Sequence, residues 1–328
     1  MTHSTLTDFS EFLLRLYGLA QEQPVDQFQE SALALVRTVL PFDAAMWGSG
    51  TLAPAGLDID ALHLHRTSQG MLQAYEEHKS LDLAAFSVGQ HRSATAIFHS
   101  PAFYAGSPGL LDFTRRFGHQ NMFISGDTHG VTRRTQWLSL YRADVDALCG
   151  EDERLLLHAL RPHLMQALSM NRMSHLHRRP LLANGPACGR AVAGLRGVVL
   201  HTDPLFEELL RTEWEGWRVG CTLPDALVAR FRSEPLFKGR RAVVHGRVEH
   251  QLLFLQARTR CRADELSARE LEIACGIANG QTHKQLAQLL ARSPATVRNH
   301  VQAIYSKLEV SNAAGLVAAL RQVGLPEV

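Results

Sequence analysis

The sequence lacks the long apolar run that a membrane-spanning helix needs. Its 328 residues contain no uninterrupted apolar stretch of roughly 18 residues, close to the minimum length that crosses a bilayer. The first residues, Met1 to Asp8, do not combine a basic region with an apolar core, so they do not resemble a secretory signal. We therefore expect a cytoplasmic protein with no membrane partner.

Cysteine is scarce, and catalytic signatures are missing. The five cysteines form no Cys-x-x-Cys pair, which predicts reduced thiols rather than disulfides or a cysteine zinc site. No phosphate loop, His-Glu-x-x-His pair or complete nucleophile elbow occurs. His63 and His65 would share one face of a strand, but no cysteine or carboxylate stands at a metal-ligand spacing from them. We predict no enzyme activity, no cofactor and no metal site.

Strong charge bias is also absent. The net charge is +2, with 45% hydrophobic and 20% charged residues, which is typical of folded globular domains. A nucleic-acid partner would therefore have to be attracted by a local basic patch.

The residue pattern divides the chain into three predicted domains, residues 1–178, 190–260 and 263–328. The first shows two amphipathic helices, five short strands and a closing helix from about Asp152 to His175. A linker rich in Pro and Gly, Arg178–Gly189, leads to a smaller block of strand and helix patterns. The third block contains four short helices. The expected fold class is multi-domain α+β, with an N-terminal α/β domain, a small α+β segment and an all-α four-helix C-terminal domain.

The helices of the third block have complete end signals. Ser267 and Glu270 form a capping-box pattern, and Thr282 and Gln285 repeat it. Ser293 stands where the next helix needs an N-cap, directly before a proline at the first helical position.

The third of these helices, from about residue 294 to residue 308, is strongly amphipathic. One face is an apolar stripe at helical spacing, made of Val297, Val301, Ile304 and Leu308. The opposite face carries Arg298, Asn299 and Gln302. Arginine can hydrogen-bond guanine, and asparagine or glutamine can hydrogen-bond adenine, in the major groove of DNA. The pattern therefore favours a helix that reads DNA sequence.

The string from Leu266 to Val310 resembles the LuxR/FixJ helix-turn-helix signature. The matching residues are Leu-Ser-x-Arg-Glu in the first helix, a lysine in the second, and Ser-x-x-Thr-Val-x-x-His and Lys-Leu in the third. The resemblance implies that double-stranded DNA is the partner. It implies DNA-backbone contacts for Lys284, Thr296, His300 and Lys307, and major-groove positions for Arg298, Asn299 and Gln302. It also implies a homodimer on a pseudo-palindromic operator, formed through Leu316, Leu320 and Val323 of the fourth helix.

The two N-terminal blocks resemble divergent sensor domains, the first GAF-like and the second a degenerate PAS-like domain. Each resemblance implies a small sheet covered by helices that can enclose a pocket for a small-molecule effector. Aromatic residues are the candidate pocket lining: Trp47, Tyr75, Trp137 and Tyr141. An acyl-homoserine-lactone sensor is disfavoured, because Tyr75 and Asp82 have the wrong spacing for its signature and no proline follows the aspartate.

These patterns predict a sequence-specific transcriptional regulator controlled by a signal that the N-terminal domains sense. Two alternatives remain open from the sequence. One is a signal-responsive adaptor whose helix-turn-helix serves protein interaction, and the other is an N-terminal enzyme domain with a DNA-binding tail.

Overall fold

The chain forms two compact units, Met1–His175 and Leu176–Val328. The structure is a computed structural model that describes residues 3–53, 56–182, 187–218 and 220–323. Within these ranges no helix has both the length and the apolar character needed to cross a membrane.

The first unit contains one five-stranded sheet and seven helices within the described residues. In chain order the elements are α1 (His3–Glu22), α2 (Phe28–Val36), β1 (Ala44–Ala53), β2 (Gly56–His65), α3 (Gln69–Glu76), a 3-10 turn (Lys79–Leu81), α4 (Leu83–Gly89), β3 (Ser93–His99), α5 (Ser100–Phe103), α6 (Pro108–Arg116), β4 (Asn121–Thr128), β5 (Arg134–Arg142) and α7 (Glu151–Arg178). The strands pair antiparallel in the order β2-β1-β5-β4-β3.

Strand alternation gives this sheet two different buried faces, because successive side chains point to opposite sides. Trp47 of β1 and Leu138 and Leu140 of β5 pack against α1, α2 and α7. Met46 and Tyr141, their immediate neighbours along β1 and β5, point to the other face and belong to a second apolar cluster with α4 and α6. The sheet is therefore covered by helices on both sides, and the second side holds the cavity described below.

The second unit begins with another five-stranded antiparallel sheet. Its elements are β6 (Gly189–Gly194), β7 (Val199–Thr202), α8 (Pro204–Glu213), α9 (Asp225–Arg230), β8 (Leu236–Lys238), β9 (Ala242–Glu249) and β10 (Leu252–Thr259). The strand order is β7-β6-β10-β9-β8, which repeats the order of the first sheet. The sheet packs against α8 and α9 through Phe206, Leu210 and Leu227. The small helix-covered sheets implied by the sensor resemblances are thus present in both units.

Four helices follow the second sheet: α10 (Ala268–Ala278), α11 (His283–Leu289), α12 (Pro294–Leu308) and α13 (Ala313–Arg321). The expected caps are formed. Ser267 and Glu270 complete one capping box, Thr282 and Gln285 complete another, and the Ser293 side chain accepts a hydrogen bond from the third residue of α12. The helix starts expected from the capping residues in the sequence therefore agree with the observed starts of α10, α11 and α12.

The fold class expected from the sequence, multi-domain α+β with an all-α C-terminal part, is confirmed. The linker expected at Arg178–Gly189 is shorter than the sequence suggested, because α7 continues to Arg178 and β6 already begins at Gly189. Residues 183–186 of that linker lie outside the described residues.

Candidate DNA-binding surface and ligand cavity

Helix α12 is anchored by its apolar stripe. Val297, Val301, Ile304 and Leu308 are all buried in the core of the four-helix part. The N-cap positions the start of the helix, since Ser293 Oγ accepts a hydrogen bond of 3.1 Å from the backbone N–H of Thr296. The opposite face must therefore point to solvent.

The opposite face of α12 carries polar side chains that are exposed to solvent. Arg298, Asn299 and Gln302 are exposed, and Thr296 and His300 at its margins are half-buried. Among the described residues, the side chains of Arg298, Asn299 and Gln302 make no hydrogen bond or ion pair. The donors and acceptors of this face are therefore available to a ligand such as a base edge. Lys284 on α11 is exposed as well.

Lys307 differs from the rest of the predicted DNA contacts. Its Nζ lies 2.6 and 2.8 Å from the two carboxylate oxygens of Glu270, the residue that caps α10. The Lys307 ammonium, together with the N–H of Ser267, lowers the pKa of Glu270 to about 2. Lys307 therefore ties α12 to α10, and a contact from Lys307 to a DNA phosphate would compete with this ion pair.

The side chains expected to form a dimer face on α13 are buried within this chain. Leu316, Leu320 and Val323 are only 1%, 5% and 8% exposed and lie in the same core as the α12 stripe. A domain this small has few apolar side chains with which to build a core, so the apolar face of its last helix packs inward. These three side chains form no exposed apolar surface for a partner subunit.

The first unit contains a partly open cavity of about 300 Å³ between its sheet and the segment from α3 to α6. Most lining side chains are apolar, among them Met46, Leu52, Ile59, Met71, Val88, Leu110, Phe113, Met122 and Ile124. A mainly apolar enclosure with a few polar groups is typical of small-molecule sites.

Three of the four aromatic residues expected at a pocket line this cavity: Tyr75, Trp137 and Tyr141. Trp47 does not. It is 1% exposed and faces the other side of the sheet, where its Nε1 points to Met165 Sδ at 3.3 Å. The reason is alternation, because Trp47 and the cavity-lining Met46 are consecutive residues of β1.

Asp82 organises the polar part of the cavity wall. Its carboxylate accepts hydrogen bonds from the hydroxyls of Tyr75 at 2.8 Å and Tyr104 at 2.6 Å. It also accepts from the backbone N–H groups of Ala84 and Ala85, which makes it the N-cap of α4. Burial and the nearby Asp82 carboxylate raise the pKa of both tyrosines, so their hydroxyls stay protonated. The seven-residue spacing of Tyr75 and Asp82 matches no known sequence signature, so their contact is not predictable from the sequence.

His119 lines the same cavity and was not anticipated from the sequence. Its ring stacks on Tyr141 with the centroids 3.6 Å apart and an interplanar angle of 11°. Burial lowers the pKa of His119 to about 3, so the imidazole is neutral near pH 7. Its position in the turn before β4 carries no periodic signal, which is why a sequence pattern does not reveal it.

The depressed pKa of His119 predicts an acid sensitivity of the first unit. The unfolded chain binds a proton at this histidine below about pH 6.5, whereas the folded chain binds one only near pH 3. The free energy of unfolding therefore decreases as the pH is lowered from about 6.5 towards 3, by about 1.4 kcal/mol per pH unit. Urea unfolding of the wild type and of His119→Phe should show a stability difference that changes by about 2.7 kcal/mol between pH 7 and 4.5. A difference independent of pH would contradict the buried neutral imidazole.

His63 and His65 are held by a carboxylate that the sequence did not place near them. Glu30 of α2 has one oxygen 3.2 Å from His63 Nε2 and the other 2.9 Å from His65 Nδ1. No three His, Cys, Asp or Glu side chains in the described part of the chain are arranged to hold a metal ion. The cluster therefore joins α2 to the edge strand β2.

A buried ion pair joins the second sheet to the helical domain. Arg258 at the end of β10 donates two hydrogen bonds, of 2.7 and 2.5 Å, to the carboxylate of Asp264. The two side chains are 2% and 4% exposed. Asp264 also accepts from the backbone N–H of Cys261 at 2.9 Å, and so caps the 3-10 turn that leads into α10.

Comparison with known proteins identifies the C-terminal part. Residues 264–320 match the family model of bacterial regulatory proteins, luxR family. The probable transcriptional regulatory protein NarL of Mycobacterium tuberculosis is 49% identical over 61 residues, 18% of this chain and 28% of that protein. The transcriptional regulatory protein LiaR of Bacillus subtilis is 34% identical over 90 residues, 27% of this chain and 41% of that protein. The chain thus spans less than half the length of these two relatives.

Two solved structures show a weak overall similarity of backbone fold to this chain. The N-acylhomoserine-lactone-dependent LuxR family factor CepR2 of Burkholderia cenocepacia is 16% identical with a TM-score of 0.39, and the match covers 51% of this chain and 96% of that chain. Escherichia coli SdiA is 13% identical with a TM-score of 0.39, covering 96% and 98%. The capping boxes and the apolar stripe of α12 lie within residues 264–320, the segment that matches the luxR family model.

Proposed function

We propose that the chain is a transcriptional regulator in which α12 reads double-stranded DNA. The observation that carries the proposal is the exposed, unpartnered face of Arg298, Asn299 and Gln302, set opposite a fully buried stripe. Those side chains can hydrogen-bond base edges, while Lys284 and Thr296 are suited to phosphates. A chromosomal partner would place the protein in the cytoplasm.

The regulator would be controlled by a small molecule in the cavity of the first unit. The mainly apolar lining of the cavity and its few polar groups support this assignment. We further propose a homodimer on a pseudo-palindromic site, with the two α12 helices about 34 Å apart, one turn of DNA.

Replacing Arg298 and Lys284 separately should distinguish base recognition from phosphate binding. Arg298→Ala should weaken binding to the preferred sequence by about 1–3 kcal/mol, with little effect on random DNA. Lys284→Ala should weaken binding to both DNAs alike and lower the slope of log Kd against log salt by about one. The measurement is a fluorescence-anisotropy titration at several salt concentrations, on a selected sequence and on a scrambled one.

The matched control is Arg15→Ala, which removes an exposed arginine from α1 in the other unit. It should leave both affinities unchanged. If Arg298→Ala and Arg15→Ala behaved alike, α12 would not be the reading helix, and the adaptor function would become the better account.

A further inference from the structure

The helical domain carries no net charge of its own. Residues 264–320 contain five basic and five acidic residues. The basic residues are Arg269, Lys284, Arg292, Arg298 and Lys307, and the acidic residues are Asp264, Glu265, Glu270, Glu272 and Glu309. Proteins draw much of their affinity for DNA from cations that neutralise phosphates. A helical domain without net charge therefore gains affinity from cations that lie beside it.

The stretch directly before the helical domain is strongly basic. Residues 238–262 contain seven Lys or Arg residues and one acidic residue, Glu249. Two of the seven are paired within the fold, Arg247 with Glu249 and Arg258 with Asp264. The other five form the basic edge of the second sheet: Lys238, Arg240, Arg241, Arg260 and Arg262.

Strand pairing brings the basic edge together at one end of the second sheet. Strand β9 pairs antiparallel with both β8 and β10, so its start lies beside the ends of the other two strands. The backbone N–H of Arg260 donates to the carbonyl of Arg241 at 2.8 Å, and its guanidinium donates to the carbonyl of Gly239 at 2.9 Å. Residues that are separate in the sequence thus form one basic surface.

The basic edge lies at the C-terminal end of α12. Lys238 Nζ donates to the backbone carbonyl of Asp264 at 3.1 Å, in the 3-10 turn that leads to α10. Arg262 forms an ion pair with Glu309, the C-cap residue of α12. Recognition helices contact base edges with their first residues. Since α12 has 15 residues and is about 22 Å long, whereas the major groove is about 12 Å wide, its C-terminal end would lie beside the phosphate backbone.

The cations of the basic edge differ in how free their charges are. Arg260 and Arg262 each lie beside a surface carboxylate. Arg240 and Arg241 are exposed, and in the described part of the chain their guanidinium groups form no hydrogen bond or ion pair. Arg240 and Arg241 are therefore the members of the basic edge best placed to bind a phosphate.

Glu213 holds the backbone of the turn that carries these two arginines. Its carboxylate accepts hydrogen bonds of 2.8 and 2.6 Å from the N–H groups of Arg240 and Arg241, and one of 3.0 Å from that of Ala242. Glu213 is also close enough to Arg240 to offset part of its charge. The turn is thus fixed through its backbone, which leaves the guanidinium groups at the surface.

On the basis of the proposed function, in which α12 reads DNA, we infer that the basic edge is a second DNA-contact surface, which binds phosphates flanking the sequence that α12 reads. Contacts to phosphates carry no direct information on base sequence. The basic edge therefore adds affinity for any DNA that extends past the site, and it leaves the sequence preference to α12.

Replacing Arg240 and Arg241 together with alanine tests this inference on the full-length protein. The probe is a duplex with a sequence that the wild type selects, either ending at the edges of the site or extended by about one helical turn on each side. On the extended duplex, the slope of log Kd against log salt should fall by about two for each bound protomer, and the Kd near 0.15 M salt should rise about tenfold. On the short duplex, the Kd values of the variant and the wild type should agree within about twofold.

Two double variants serve as controls. Arg15→Ala with Arg232→Ala removes two exposed arginines outside the basic edge, and so the same net charge, and it should keep the wild-type slope. Arg240→Lys with Arg241→Lys retains both charges and should also keep the slope, because lysine binds phosphate as a point charge. The ratio of the Kd values for scrambled and selected DNA should be the same in every one of these variants.

The outcomes separate this inference from the proposed function. An unchanged slope in the double alanine variant, with sequence preference still lost in Arg298→Ala, would overturn the second contact surface and leave the reading helix in place. An equal fall of the slope in the control without Arg15 and Arg232 would reveal a general effect of charge and would overturn it too. If the wild type bound selected and scrambled DNA alike, the proposed function itself would be contradicted.

Discussion

Replacing Asp264 with alanine is expected to lower the free energy of unfolding of the second unit by about 3–5 kcal/mol. The variant would leave the Arg258 guanidinium buried without its carboxylate, at a place where both side chains are almost fully enclosed. It would also remove the acceptor that caps the turn before α10. The measurement is urea unfolding followed by circular dichroism.

Two comparisons make this expectation specific. Glu208→Ala removes an exposed carboxylate from α8 and should change stability by no more than about 0.5 kcal/mol. The double variant Arg258→Met with Asp264→Leu should recover most of the loss, because an apolar pair of similar volume needs no counter-charge. A loss below about 1 kcal/mol in Asp264→Ala would show that the pair is not buried in solution.

Asp82→Ala should destabilise the first unit by about 3 kcal/mol. The substitution leaves two tyrosine hydroxyls in the cavity wall without an acceptor and removes the N-cap of α4. Asp82→Asn keeps one acceptor oxygen and the cap, so its loss should be about half as large. Thermal and urea unfolding of the full-length protein measure both.

Tyr75→Phe and Tyr104→Phe provide the matched controls. Each removes one donor while leaving Asp82 and the cap in place, and each should cost about 1 kcal/mol. If Asp82→Ala cost no more than either tyrosine variant, Asp82 would not be the residue that organises the cavity wall.

Local chemistry made the C-terminal domain predictable from sequence. Its capping boxes involve residues three positions apart, and the buried stripe of α12 is set by helical periodicity alone. The exposure of Arg298 and Gln302 follows from the same periodicity. The strands of the first sheet were predictable for a similar reason, since Trp137–Tyr141 and its neighbours are short runs rich in aromatic and apolar residues.

Residues whose roles depend on distant partners were not predictable. Trp47 and Tyr141 are both aromatic residues on strands, yet only the packing of helices on the two faces decides which one lines the cavity. Asp264 and Lys307 are ordinary charged residues in the sequence, and their ion pairs form only after folding. The apolar side chains of α13 have the same pattern whether they meet a partner subunit or their own core, and the structure shows the core.

The most direct test of the central claim is a pull-down of fragmented genomic DNA by the full-length protein, followed by sequencing. The account predicts enrichment of a pseudo-palindromic sequence that is lost with Arg298→Ala and kept with Arg15→Ala. The same sequences recovered by the wild type and by Arg298→Ala, or no enriched sequence with either, would contradict DNA reading by α12.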